Sequence, residues 1–175
     1  LTSKKGILCL EGLYDTEIDN DKRYSISAII NYVAKVEEIK HSHFDVGTVV
    51  ELEHRLLETK KKGFSILYLS FHGTKSKTWI EDEFLSLMKL SEIMNDHFLG
   101  WDIHFGSCLT GTSEEVLLEF KKNVGARLVS AYNTSVGYID SAALEIGWLS
   151  ALVNGKRKLP IYYRGLIKQN GLVIV

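Results

Sequence analysis

Short apolar runs alternate along this chain with amphipathic stretches, and that alternation constrains its fold more than any other feature. Residues 6–10 (GILCL), 37–44, 64–71 (FSILYLSF), 100–105 and 126–132 read as strands. Residues 25–35, 48–62, 82–94, 113–122 and 139–153 read as helices, with apolar residues at three-to-four spacing on one face. Ser25 is the expected N-cap of the first helix, and Thr112 with Glu115 is an expected capping box before the fourth. Gly63 after Lys60-Lys61-Lys62 is a helix stop. Residues 160–175 read as two strand pieces around Asn170-Gly171, a hairpin signal. Strands alternating with helices of this length build βαβ units. The expected fold class is α/β: three layers, α/β/α, around a mainly parallel sheet with helices on both faces.

With 175 residues and neither a linker rich in proline, glycine or serine nor a repeat, one domain spanning 1–175 is expected. Apolar residues make up 45% and charged residues 25%, which excludes the disordered and collagen-like classes. The net charge of −1 offers no basic field for a nucleic acid. No apolar stretch is long enough to cross a membrane; the richest, 141–153, is interrupted by Glu145. No signal peptide is read at the start. The two cysteines, Cys9 and Cys108, are far apart and outside any zinc-ligand spacing, so no metal site and a reducing, cytoplasmic setting are expected.

In a parallel sheet the chemistry lies past the carboxyl ends of the strands. ILYLSF runs into His72-Gly73, and WDIHFG runs into Ser107-Cys108. A thiol and an imidazole at one sheet edge are the parts of a nucleophile and its general base. The thiolate attacks a carbonyl carbon, and the imidazole carries the proton to the leaving amine. Gly73 gives the backbone room, and its N–H together with that of Cys108 forms an expected oxyanion hole.

An apolar block ending in His-Gly, then a second ending in a small residue and Cys, resembles the caspase-like (clan CD) cysteine peptidases, and within them the CHAT domains. The residues that carry the likeness are Phe71-His72-Gly73, Gly106-Ser107-Cys108-Leu109-Thr110-Gly111, Gly125 to Val129, and Asp140 to Ala143. It covers residues 64–155 well and the first part of the chain in outline. Gly106-Ser107 stands where Ser-Ala is usual, Asn133 where tryptophan is common, and no repeat domain accompanies the core. The resemblance implies a caspase-like fold and a cysteine endopeptidase with His72 and Cys108 as its dyad. It further implies a protein or peptide substrate, a regulatory protein as a further partner, and no cofactor. It also implies that the loops after the first strand and after the strand following the nucleophile shape the specificity pocket. Those loops carry Glu11, Asp15 and Asp140, so cleavage after Arg or Lys is expected, with Asp140 as the leading pocket acid.

Blander readings stand beside these. Cys9, flanked by Leu8 and Leu10, reads as core. His104 is a rival base, but four strand residues span roughly 13 Å and hold it away from Cys108. His41 and His43 share one strand face and could suit a metal, but no third ligand is evident in the sequence. His54 and His97 read as exposed helix residues. Asp140 is also a natural cap for the helix beside it. Two rival functions remain: a catalytically silent caspase-like fold acting as a binding or signalling module, and a flavodoxin-type binding domain. The second is disfavoured because residues 11–15 lack a glycine-rich phosphate loop.

Overall fold

The structure, a computed structural model, describes residues 5–13, 25–58, 63–80 and 83–175. Five parallel strands and one antiparallel strand form the main sheet: β1 (Gly6–Gly12), β2 (His41–Val46), β3 (Phe64–Ser70), β7 (Asp102–Phe105), β8 (Leu128–Tyr132) and β9 (Leu172–Ile174). Their order across the sheet is β2-β1-β3-β7-β8-β9. The intervening short strands β4 (His72–Thr74), β5 (Lys77–Ile80) and β6 (Glu83–Ser86) form a separate antiparallel sheet that follows directly on β3.

Period-two burial decides the layers. Leu8 and Leu10 of β1, Leu67 and Leu69 of β3, and Ile103 and Phe105 of β7 share a core with Leu52 and Leu56 of α2 (Val49–Glu58). Leu90 of α3 (Leu87–Met94) and Phe120 of α4 (Glu114–Val124) close that face. The alternate residues Ile7, Cys9, Ile66 and Tyr68 pack against Ile30 and Val33 of α1 (Ser27–Glu37) and against Trp148 and Leu152 of α5 (Tyr138–Val153). The α/β/α architecture around a mainly parallel sheet is therefore the one expected from the sequence. Among the described residues no helix is long and apolar enough to cross a membrane.

Several local expectations change. Residues 83–86 are strand β6, and the helix begins only at Leu87, where the Ser86 hydroxyl accepts the Lys89 N–H at 3.1 Å. Phe84 and Leu85 fit either period. Pairing with β5, where Phe84 stacks on Trp79 directly opposite, decides for strand. Residues 164–170 form helix α6 (Arg164–Asn170) instead of a strand, and Gly171, at φ 60°, is its left-handed cap. An Asn-Gly pair serves a helix end as well as a hairpin. The cap of α4 is Ser113, which accepts the Val116 N–H at 3.3 Å, and not Thr112. The N-cap of α1 is Ile26, although the Ser25 hydroxyl still accepts the Ser27 N–H. The weak strand assigned to 37–44 begins at His41, because α1 continues through Glu37.

Candidate active site

Neighbouring strands β3 and β7 end side by side, with Leu69 opposite Phe105. The Gly106 N–H donates to the Leu69 carbonyl at 2.9 Å. Two residues on, the Phe71 N–H donates to the buried Ser107 hydroxyl at 3.2 Å. The segment that carries His72 is thus stitched to the one that carries Cys108. Gly73 completes the junction. A side chain there would collide with the Cys108 carbonyl, the Thr110 hydroxyl and Cβ of Ser107. Only glycine permits that approach of two backbones.

Past these strand ends lies a cavity of about 390 Å³, within the size range of small-molecule and cofactor sites. His72, Gly73 and Cys108, the residues expected to form the dyad and the oxyanion hole, all line it. His72 is exposed, its ring 5.6 Å from that of Trp79. Cys108 is half-buried, and its sulphur accepts the Val136 N–H at 3.5 Å. Leu109, the next residue, has a left-handed φ of 58°. Branched side chains rarely take that conformation, which concentrates at functional sites. The carbonyl of Leu109 accepts the Ser76 N–H, and its own N–H donates to Thr134, which fixes the turn.

The expected specificity acids are placed differently. Asp140 does not line the cavity; its carboxylate accepts a hydrogen bond from Gln169 at 3.3 Å. Glu11 is fully buried behind the cavity wall and does not line it. It accepts the Ser25 hydroxyl at 2.6 Å and the Ile26 N–H at 2.9 Å, and so pins the start of α1, whose Ser25, Ile26 and Ile29 form part of the wall. Asp15 lies outside the described residues.

Two features go beyond the sequence reading, which paired His43 with His41 and found no third ligand. His43 Nε2 lies 2.7 Å from Glu11 Oε2, and with Asp45 these groups offer three donor atoms within 4.8 Å of one another. This donor set could hold a cation. It joins β1 to β2 through the register pair Glu11–Asp45, a proximity that linear spacing does not show. The second feature is Glu145, a buried carboxylate of α5 that lines the cavity. It accepts the Tyr132 hydroxyl at 3.2 Å, and Tyr68 lines the same cavity. Burial, and next the Glu145 charge, push both tyrosine hydroxyls well above their ordinary range, so they remain donors. The only sequence signal was a lone acid inside an apolar helix.

His104 is fully buried, with Nδ1 2.8 Å from the Ser130 hydroxyl, which also accepts the Trp148 indole N–H. His104 does not line the cavity. Cys9 is fully buried, and burial foremost, then Glu11, Glu145 and Asp45, raises its thiol well above the ordinary value. His54 and His97 are exposed.

The sequence matches the family of unknown function DUF6642 over residues 4–162, and the chain belongs to that family. No curated protein matches it. Among solved structures it is similar to a secreted C11 cysteine protease from Bacteroides thetaiotaomicron, "iotapain", with 11% identity and a TM-score of 0.49. That likeness covers 79% of this chain, which spans 55% of the other.

Proposed function

We propose that this member of the DUF6642 family is a cysteine peptidase in which Cys108 is the nucleophile and His72 its general base and acid. The observation that supports this most is the junction itself: two adjacent strand ends, closed by Gly73 against the Cys108 carbonyl, deliver a thiol and an imidazole into one cavity. His72 takes the proton from Sγ, and the sulphur attacks the carbonyl carbon of a peptide bond. The resulting oxyanion is held by the N–H groups of Gly73 and Cys108. Collapse of the tetrahedral adduct breaks the C–N bond; His72 gives its proton to the leaving amine, and a thioester remains. Water activated by His72 then hydrolyses the thioester and restores the thiol.

The CHAT-like assignment belongs to this reading and is supported by Phe71-His72-Gly73 and by residues 106–111. So do a single domain over 1–175, a protein or peptide substrate, a regulatory protein partner and a cytoplasmic location. The test is cleavage profiling on a peptide library with wild type, Cys108→Ala and His72→Ala. Cleavage by wild type, lost by several orders of magnitude in both variants, supports the reading, since coupled nucleophile and base fail together. Undiminished cleavage by purified Cys108→Ala rejects it. A folded wild type that cleaves nothing and binds peptides equally well with and without Cys108 points to a silent binding module instead.

A further inference from the structure

Among the described residues, Glu145 is the one acidic side chain that lines the cavity, and none of their lysines or arginines lines it. Its carboxylate is held by a hydroxyl that carries no charge: Tyr132 donates to Oε1. The nearest ionisable base is His104, whose Nε2 stands 3.7 Å from Oε1, too far for a hydrogen bond, and has no hydrogen-bond partner. A carboxylate has about four acceptor positions, so the Tyr132 hydroxyl leaves room for further donors. A buried carboxylate without a full counter-charge is costly and favours a cation that reaches it.

The rest of the cavity defines the shape of that cation. Ile26, Ile29, Val136 and Ala142 give it apolar walls, while Cys108 lines the same space. An apolar channel with an acid on its wall suits a side chain that is aliphatic along its stem and charged at its tip. Lys and Arg have that form.

We infer that Glu145 is the specificity-determining residue of this cavity, selecting substrates with Arg or Lys at the residue whose carbonyl Cys108 attacks. The inference rests on the peptidase reading and moves the selecting acid from Asp140, which is engaged by Gln169 outside the cavity, to α5. A charged tip entering the cavity forms charge-assisted hydrogen bonds to the carboxylate, whereas an acidic side chain meets a like charge. Tyr132 acts as a positioning residue that holds the carboxylate.

The experiment compares kcat/KM for matched peptides with Arg, Lys, norleucine or Asp at the cleaved position, using wild type, Glu145→Gln and Asp140→Asn. Glu145→Gln keeps the shape and the ability to accept from Tyr132. Wild type is expected to prefer Arg and Lys. In Glu145→Gln the Arg and Lys values fall about 10–100-fold, the range of one charged hydrogen bond, while the norleucine value holds. Asp140→Asn keeps the wild-type preference. An equal fall for all peptides in Glu145→Gln shows a structural role and overturns the inference, as does a wild type that prefers Asp or norleucine. Loss of the Arg and Lys preference in Asp140→Asn, with Glu145→Gln unchanged, returns the role to Asp140 and overturns it too. To cover a Glu145→Gln chain that does not fold, wild type is also labelled with peptidyl electrophiles carrying Arg or Asp. Faster labelling of Cys108 by the Arg probe supports the inference, and equal rates oppose it. If wild type is labelled by neither probe and cleaves no peptide, the peptidase reading itself has failed. Labelling or cleavage without a preference for cations defeats only the assignment of Glu145.

Discussion

Replacement of Gly73 by alanine tests the junction on which the candidate site depends. The added methyl would meet the Cys108 carbonyl, the Thr110 hydroxyl and Cβ of Ser107. Two of those are backbone or fixed close to it, so no flexible side-chain tip can swing away. Forcing a methyl group into well-packed space costs about 1–3 kcal/mol. If the strand ends part to relieve the clash, the hydrogen bond from Phe71 N–H to Ser107 is lost as well, for about 1 kcal/mol more. The expected loss is therefore about 2–4 kcal/mol, read as a lower urea midpoint at unchanged slope. The site should suffer more than the fold, since a displacement of about 1 Å between reacting groups can cost 10²-fold in rate. The functional assay is the rate at which a peptidyl electrophile modifies Cys108, which needs no knowledge of the substrate. Gly165→Ala is the control: no atom lies within 4 Å of its added methyl, and it sits inside α6. That variant should be neutral or more stable by about 0.5–1 kcal/mol. A Gly73→Ala protein as stable as wild type, with Cys108 modified at the wild-type rate, would refute the close-approach argument.

Three further outcomes follow from the same geometry. Iodoacetamide should modify half-buried Cys108 and leave fully buried Cys9 untouched until the chain unfolds, as peptide mass mapping would show; early modification of Cys9 would contradict its place in the core. Tyr68 and Tyr132 are raised in the folded state, so both states are neutral below the ordinary tyrosine value of 10, and above it only the unfolded chain ionises. Stability should accordingly fall above pH ~10 by about 1.4 kcal/mol per tyrosine per pH unit, with a shallower fall in Tyr132→Phe; urea midpoints that stay flat to pH ~11 would contradict the burial of the two hydroxyls. Asp102 is fully buried and pairs with Lys5 at 2.7 Å and with Arg127, so Asp102→Ala should cost about 3–5 kcal/mol in urea unfolding, and a loss below about 1 kcal/mol would show that the network contributes no more than surface pairs do.

What was legible in the sequence is what a single period or a single rule encodes. FSILYLSF and WDIHFG are unbroken apolar runs, so their strands and their place in a mainly parallel sheet could be read. The rule that chemistry lies at carboxyl strand ends then singled out His72 and Cys108. Residues 83–86 were misread because Phe84 and Leu85 satisfy helix and strand periods equally, and only pairing across β5 separates them. Residues 164–170 were misread because Asn170-Gly171 signals both a hairpin and a helix end. Glu11 and Asp140 follow the rule in position yet not in environment: one faces the N-terminus of α1, the other Gln169. Glu145 was out of reach for a different reason. Its place at the cavity depends on Tyr132, which comes from β8, and cross-element contacts of that kind leave no trace in linear spacing.

The two faces of the main sheet divide apolar packing from polar contacts. On the face covered by α2, α3 and α4, the inward positions of the four central strands are all apolar: Leu8 and Leu10, Leu67 and Leu69, Ile103 and Phe105, Val129 and Ala131. On the face covered by α1 and α5, the same strands present Cys9, Tyr68, His104 and Ser130 in one register row, with Glu11 and Ser70 paired in the next. Buried polar rows give less stability than apolar packing of the same volume, and they hold only where partners are supplied. Here Trp148 supplies one to Ser130, Tyr132 one to Glu145, and Ser25 and Ile26 two to Glu11. The period-two geometry of a strand allows this separation, because each residue belongs wholly to one face. One face can therefore be packed for cohesion without disturbing the donors on the other. The polar face is also the one on which the cavity opens, between the start of α1 and the first two turns of α5. Its network fixes the Glu145 carboxylate from below, while the strand ends fix Cys108 and His72 from the side. On the proposed peptidase reading, a substrate side chain entering that space would meet groups already held in place, which is the condition for binding energy to be spent on selection instead of on ordering the site.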